Sequence, residues 1–514
     1  MNSTVKRGAT AVAGLGICLL AAMLNAQRPQ TPADVLTTSC RSLTSLQLMN
    51  ANVTLSSVIP AGKFKPPAGA EIVDLPAFCR VAMTITPSSD SDIKVETWLP
   101  LANWNGKFQE VGNGAWGGSI QYAALADGLK RGYAMASTDT GHTGTDASFA
   151  MGHPEKLIDF AYRAIHETAL QSKSVIAAIY HAAPRLSYFS GCSGGGRQAF
   201  SEVQRYPQDF DGVIAGAPGY DRLNQSFQLV AIAQATHTDK TSWIPPEKYP
   251  ALHQAALNAC DAMDGVKDGL ISEPMRCHFD PAAIQCKGAD SANCLTEPQV
   301  QAAKKIYAGV NDPRTGKQLF PGQEPGSEMR WGGTSGSPRP LGMSDDLFKY
   351  VVFQDPNWDY MTLNLNKHLE LAQKIDKGEL SPASANIKPF VARGGKLVMY
   401  HGWGDQNISP RSSVNYYERL VSALGKSQVN DSVRLYMVPG MGHCSGGEGP
   451  DQFDMLAPLE QWRELGSAPT EVIASKINNG KVAFTRPLCP YPQVARYKGT
   501  GSIDQAENFV CQLP

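Results

Sequence analysis

Charge of either sign is not in excess: the 514 residues carry 46 Lys and Arg against 47 Asp and Glu, a net charge of −1. That balance removes the electrostatic footprint a nucleic-acid partner needs, and no polybasic patch marks an anionic membrane surface. Long apolar runs are scarce, and the best of them, Ala9–Leu24, is short for a membrane span. No C-x-x-C pair occurs among the 11 cysteines, which leaves tetrahedral zinc ligation without a frame. Internal repeats and low-complexity tracts are also missing, so the length does not come from a repeat array. A small neutral or weakly charged substrate fits this charge balance better.

A single compact core stops growing before this length, so one large catalytic domain with a substantial insertion is expected. Lys6 and Arg7 precede the Ala9–Leu24 run, and Ala26 is a suitable residue before a cut, so residues 1–26 read as a signal peptide. A membrane-anchoring helix and a lipoprotein cut before Cys18 are the alternatives; Ile17 is bulky for that cut. Beyond Cys18, ten cysteines remain: an even set that, in an exported chain, suggests disulfides and a secreted or periplasmic location.

Strand-like and helix-like stretches alternate from about residue 72 to residue 219. Arg131–Ser137 and Leu186–Ser190 read as strands, Lys156–His181 as a helix, and Gly212–Ala217 as a buried strand. A glycine-rich turn at 191–196 leads into a helical stretch, Arg197–Tyr206, stopped by Pro207. Alternation breaks between about 220 and 389, where Gly, Pro and four cysteines accumulate. It resumes with strands Lys396–His401 and Val433–Val438 and helices over Ser412–Leu424 and Gln452–Leu465. The pattern predicts an α/β fold: a mostly parallel sheet built from residues 27–219 and 390–514, interrupted by a lid at 220–389.

The turn at 191–196 carries Gly191-x-Ser193-x-Gly195 between a strand and a helix. A serine there is held on a sharp turn, and the next backbone N–H, from Gly194, can face a developing oxyanion at the positive end of the helix. The pentapeptide alone is a weak signal in a glycine-rich chain; its strand–helix setting strengthens it. Nucleophile, acid and base follow each other in the order Ser, Asp, His on this type of sheet. Asp405 follows the strand Lys396–His401, and His443 follows Val433–Val438. His443 is the one histidine after Asp405, so chain order leaves a single base. Cys192 abuts Ser193 and Cys444 abuts His443; a disulfide between them sets their Cα atoms about 5.5–6 Å apart and brings hydroxyl and imidazole together. A second oxyanion donor is expected from the loop Val111-Gly-Asn-Gly-Ala-Trp-Gly-Gly118, with Gly114 as the choice. Serine peptidase chemistry and a secreted binding protein with an inactive site are the rival readings.

Cys260-Asp-Ala-Met-Asp-Gly-Val-Lys-Asp-Gly-Leu270 crowds three carboxylates into a glycine-punctuated loop. Asp261, Asp264 and Asp268, with the backbone carbonyls of Val266 and Leu270, suit Ca²⁺, a hard cation taking six to eight oxygens. The spacing is not that of an EF-hand, and the expected role is structural.

These residues resemble the tannase and feruloyl esterase family, which also contains mono-terephthalate ester hydrolases. The resemblance rests on the pair Cys192-Ser193, on Asp405, and on the pair His443-Cys444. It extends to the Cys260–Leu270 loop and to Phe348-Lys-Tyr-Val-Val-Phe-Gln-Asp-Pro-Asn-Trp358. It implies an α/β-hydrolase core whose inserted lid binds the aromatic acid portion of an ester. It also implies the disulfides Cys40–Cys79, Cys260–Cys277, Cys286–Cys294 and Cys489–Cys511. Within it, His401 and Trp331 are expected to line the substrate pocket. No lid cation stands out as a carboxylate clamp, Arg339 being the nearest, so esters of phenolic acids are favoured: feruloyl first, galloyl next.

Overall fold

Strand–helix alternation resolves into one nine-stranded sheet. A computed structural model describes residues 32–334, 337 and 339–514; the expected signal peptide, with Cys18 and Ala26, lies outside them. The strands are β1 (Ala51–Ile59), β2 (Phe78–Ile85), β3 (Ile93–Pro100), β4 (Lys107–Val111), β5 (Ala134–Thr138), β6 (Leu186–Cys192), β7 (Gly212–Gly216), β8 (Lys396–Gly402) and β9 (Val433–Val438). They lie in the order β1-β2-β3-β5-β4-β6-β7-β8-β9. The β1–β2, β2–β3 and β3–β5 pairs are antiparallel, and every pair from β5 to β9 is parallel. Residues from both halves of the chain therefore share one sheet.

The parallel strands are apolar on both faces because helices cover both. Side chains alternate: Phe189, Val213, Leu397, Met399 and Leu435 enter one core, while Tyr188, Ile214, Val398 and Tyr436 enter the other. Helices α1 (Tyr122–Lys130), α2 (Ala164–Tyr180), α3 (Gly194–Arg205), α4 (Arg222–His237), α5 (Tyr249–Cys260), α6 (Glu297–Ala308), α7 (Leu365–Asp376), α8 (Arg411–Leu424) and α9 (Leu456–Leu465) follow in chain order. Apolar residues of α2, α3 and α8 pack into the first core, and those of α1 and α9 into the second. Several boundaries differ from expectation: α9 starts at Leu456 and not at Gln452, and the stretch expected as one helix, Lys156–His181, is broken by a π-helical turn at Asp159–Arg163 before α2. β5 starts at Ala134 because Arg131 and Gly132 still close the end of α1 through bonds to Gly128 and Leu129 carbonyls. α3 starts at Gly194, so the glycines expected as a free turn are already its first turn.

Residues 217–395 contribute no strand to this sheet among the described residues. The insert holds α4 to α7; it shares one apolar cluster, around Phe227, Phe348 and Leu369, with Trp116 and Phe160 of the sheet domain, and packs another of its own around Ile232, Leu252 and Trp331. Phe348, Phe353 and Trp358 pack ring against ring, with centroids 5.1–6.2 Å apart. The ten described cysteines form five disulfides: Cys40–Cys79, Cys192–Cys444, Cys260–Cys277, Cys286–Cys294 and Cys489–Cys511. No helix among the described residues is long and apolar enough to cross a membrane.

Candidate active site

β6 ends at Cys192 and α3 begins at Gly194, so Ser193 alone makes the turn, at φ 64° and ψ −116°. A non-glycine residue holds such a conformation only when its surroundings fix it. Here Ser193 N–H donates to the Gly216 carbonyl (2.9 Å), and its own carbonyl accepts from Arg197 and Gly219. Close approach dictates the glycines around it. A Cβ on Gly191 would lie 2.6 Å from the Gly195 backbone, and one on Gly196 would lie 2.4 Å from the Gly216 carbonyl oxygen. The helix can reach the strand ends only without those side chains.

Parallel register brings the other strands level with this turn: Gly216 in β7 sits between Cys192 in β6 and Tyr400 in β8. The turn after β8 carries Asp405 and the turn after β9 carries His443. His443 Nε2 lies 2.8 Å from Ser193 Oγ, and His443 Nδ1 lies 2.7 Å from Asp405 Oδ2. Since a carboxylate only accepts, Nδ1 carries the proton and Nε2 is free to accept from the hydroxyl. Asp405 Oδ1 accepts from the N–H groups of Asn407 (2.8 Å) and Ile408 (3.0 Å). Burial opposes a charge on Asp405, yet the adjoining His443 and His401 outweigh it and hold the carboxyl well below its usual range. Burial likewise opposes charge on His443, and the Asp405 carboxylate overrides it, raising the imidazole above its ordinary value. The arrangement can draw a proton from the serine hydroxyl and hold the resulting imidazolium. The Cys192–Cys444 bridge, with Cα atoms 6.0 Å apart, joins the two residues flanking this pair.

The loop after β4 forms the facing wall. Asn113 N–H donates to Gln198 Oε1 (2.9 Å), and Gln198 Nε2 donates to Asn113 Oδ1 (3.1 Å), tying the loop to α3. A Cβ on Gly194 would lie 3.1 Å from the backbone nitrogen of Ala115, so the start of α3 and this loop nearly touch. Neither Ala115 nor Gly194 N–H has a backbone acceptor among the described residues. Gly114 and Ala115 line a cleft of about 540 Å³ with Ser193, His443 and Asn407, and Leu341 and Met343 of the insert complete it. Leu341 and Met343 were not foreseen, since nothing in the Pro-Leu-Gly-Met-Ser stretch distinguishes them from ordinary loop residues.

Two expected pocket residues lie elsewhere. His401 is fully buried behind Asp405: its Nε2–H donates to Asp405 Oδ2 (3.0 Å) and to the Ile408 carbonyl (3.1 Å), while Nδ1 accepts from Ser413 Oγ (2.8 Å). It orients the aspartate and does not line the cleft. Trp331 is fully buried among Tyr307 and Tyr249 in the insert, with its indole N–H on Ser327 Oγ (3.0 Å), and it too is not a wall of the cleft. Arg339 is exposed.

In the acidic loop, Gly265 (φ 94°) and Gly269 (φ 80°) supply left-handed turns, and Cys260–Cys277 closes the base. The carboxylates turn onto the loop's own donors: Asp261 accepts from Asp268 and Gly269 N–H, Asp264 from Val266 N–H and Ser272 Oγ, Asp268 from Leu270 N–H. Among the described residues one cation meets the three, Arg486 on Asp268 at 2.6 Å. Burial, together with their mutual repulsion, raises the pKa of both Asp261 and Asp264. The Val266 and Leu270 carbonyls accept no hydrogen bond from the described residues. This surplus of oxygen donors and negative charge fits a hard divalent cation, though the carboxylates are not gathered to one point. The tight gathering of Cys286, Asp290 and Cys294 is no metal site, because its sulfurs form a disulfide.

A largely parallel sheet with a serine on the β6–α3 turn, facing a histidine and an aspartate from later strand ends, is the α/β-hydrolase type of fold. Within that class, the chain belongs to the tannase and feruloyl esterase family, whose sequence profile matches residues 79–512. It is 37% identical to an uncharacterized esterase of Xanthomonas campestris, across 92% of this chain and 91% of that one. With a probable feruloyl esterase B-1 of Aspergillus flavus it shares 34% identity, across 84% and 86% of the two chains. The crystal structure of feruloyl esterase B from Aspergillus oryzae matches with a TM-score of 0.88 at 32% identity, covering 93% of this chain and all of that one. The chain is a carboxylic ester hydrolase.

Proposed function

We propose that this chain is an exported serine esterase that cleaves esters of aromatic, phenolic acids, feruloyl esters foremost. The observation that carries the reading is the continuous hydrogen-bonded run from Ser193 through His443 to Asp405, opening into the cleft. Ser193 Oγ attacks the ester carbonyl carbon as His443 Nε2 takes its proton. The oxyanion is received by the N–H of Gly194 and by that of Ala115, next to Gly114 in the facing loop. The intermediate collapses to an acyl-enzyme as His443 returns the proton to the departing alkoxide. Water, deprotonated by His443, then attacks the acyl carbon and releases the aromatic acid. Asp405 keeps the imidazole in the tautomer that accepts from serine and steadies it when charged.

A cleft of about 540 Å³ has room for a substituted aromatic acyl group, and Leu341 and Met343 give it an apolar wall from the insert, which we read as a lid. The names of the relatives point to feruloyl esters. Five disulfides fit an oxidising compartment and an exported chain. The acidic loop is proposed to hold structural Ca²⁺ through the Asp261, Asp264 and Asp268 carboxylates and the Val266 and Leu270 carbonyls. When bound, the ion neutralises crowded carboxylates and braces the insert. The test is Ser193→Ala, which is expected to abolish turnover of methyl ferulate and methyl gallate while leaving the thermal melt in place; surviving turnover sinks the reading. Side-by-side rates on ferulate, gallate and mono-terephthalate esters rank the acids. Amide hydrolysis faster than aryl ester hydrolysis would reassign the chain to the peptidases.

A further inference from the structure

Trp116 follows Ala115 in the oxyanion loop and reaches the insert at two separate places. Its indole Nε1–H donates to the Met343 carbonyl at 3.0 Å, and Met343 is a wall of the cleft. Its ring lies under the Arg222 guanidinium, 4.3 Å from carbon to centroid, and Arg222 is the first residue of α4. On the catalytic side, its carbonyl accepts from His142 Nε2 at 2.6 Å, and its ring packs on Phe160 at 4.8 Å. One fully buried side chain thus bridges the sheet domain and both nearby parts of the insert.

We infer that Trp116 is a positioning residue: it ties the oxyanion loop to the insert, so that the seating of the insert sets the N–H donors opposite Ser193. The inference rests on the esterase reading above. Two observations separate it from simple core packing. Ala115 sits at φ 48°, a left-handed conformation that a residue with a Cβ keeps only if its neighbours hold it, and Trp116 is the anchored neighbour. Arg222 is buried, with Nε and Nη2 lacking hydrogen-bond partners among the described residues. A guanidinium so placed is compensated by the nearby Asp346 charge and, in direct contact, by the indole face, a contact that needs an aromatic face and a cation above it.

The experiment compares Trp116→Phe, which keeps a ring and removes the N–H, with Arg222→Met, which removes the guanidinium and keeps an unbranched chain. Each is measured for kcat and KM on methyl ferulate, and for inhibition by ferulate and by an aryl boronic acid. Ser193 Oγ adds to boron, its proton passing to His443, and the tetrahedral adduct places an oxygen against the oxyanion donors; planar ferulate makes no such demand. Displacing the donors by part of an ångström is expected to lower kcat about tenfold and to weaken the boronate by the same factor. KM and ferulate inhibition should stay near wild type. Parallel weakening of boronate and ferulate, or unchanged kcat in both variants, overturns the inference. Should Trp116→Phe fail to fold, Arg222→Met decides alone. Wild-type enzyme insensitive to the boronate would remove the serine mechanism itself, and the inference with it. Sensitive wild type with unaffected variants removes the inference only.

Discussion

Asp405 receives four donors, two imidazoles on Oδ2 and two backbone N–H groups on Oδ1. So surrounded, it stays a carboxylate throughout the working range, and its charge is what lifts the His443 pKa. The base works as neutral imidazole, so kcat/KM should rise with pH through that raised pKa and level off above it. Asp405→Asn removes the charge and lets an amide N–H face Nδ1, favouring the wrong tautomer. A fall of about 10⁴ in kcat is expected, with the acid limb of the pH–rate profile moved to lower pH. A limb that stays in place would mean Asp405 does not set the base. The glycine-flanked turn marked Ser193, the preceding strand marked Asp405, chain order left His443 as the base, and the abutting cysteines tied serine to histidine. His401 was read as a pocket residue on the family resemblance. Its spacing of four from Asp405 across the turn was the available clue that it faces the aspartate instead. Trp331 carried no such clue: a tryptophan in an irregular stretch says nothing about which cluster it joins.

Glycine, proline and cysteine mark most of the elements that hold the site, and they were readable for that reason. The start of α3 was placed three residues late because a triple glycine reads as a turn, whereas here the strand ends press so closely that the first helical turn must be glycine. The insert was legible only as an interruption; its register against the sheet depends on contacts such as Trp116 to Met343, which span 227 residues. The acidic loop is the element whose function is easiest to check. If it holds Ca²⁺, free ion at about a hundred times its Kd adds about 2.7 kcal/mol of stability. Exhaustive chelation should therefore lower the melting temperature by several degrees, with calcium restoring it. Asp264→Asn should melt low whether or not chelator is present. Absence of calcium by elemental analysis of the purified protein, with a melt indifferent to chelator, would rule the site out.

Across the whole molecule, four disulfides are local, linking residues 8 to 39 positions apart, and one is not: Cys192 and Cys444 are separated by 252. Loop-closure entropy grows with the logarithm of the enclosed length, so this bridge restrains the unfolded chain most, by about 5 kcal/mol in that treatment. It also joins the two halves of the chain beside the reacting groups, since Ser193 comes from the first half and His443 from the second. Its loss should therefore show twice. A Cys192→Ala, Cys444→Ala double variant is expected to melt well below wild type. Even when folded at low temperature, it should lose kcat more than KM, because the 2.8 Å contact between hydroxyl and imidazole is no longer held across the cleft. Removing Cys489–Cys511, which ties the end of the strand Lys481–Leu488 to the last short strand, Phe509–Gln512, should lower the melt and leave kcat alone. If both pairs affect melting and turnover alike, the long bridge acts as one more staple, and the alignment of serine and histidine is held by the sheet alone.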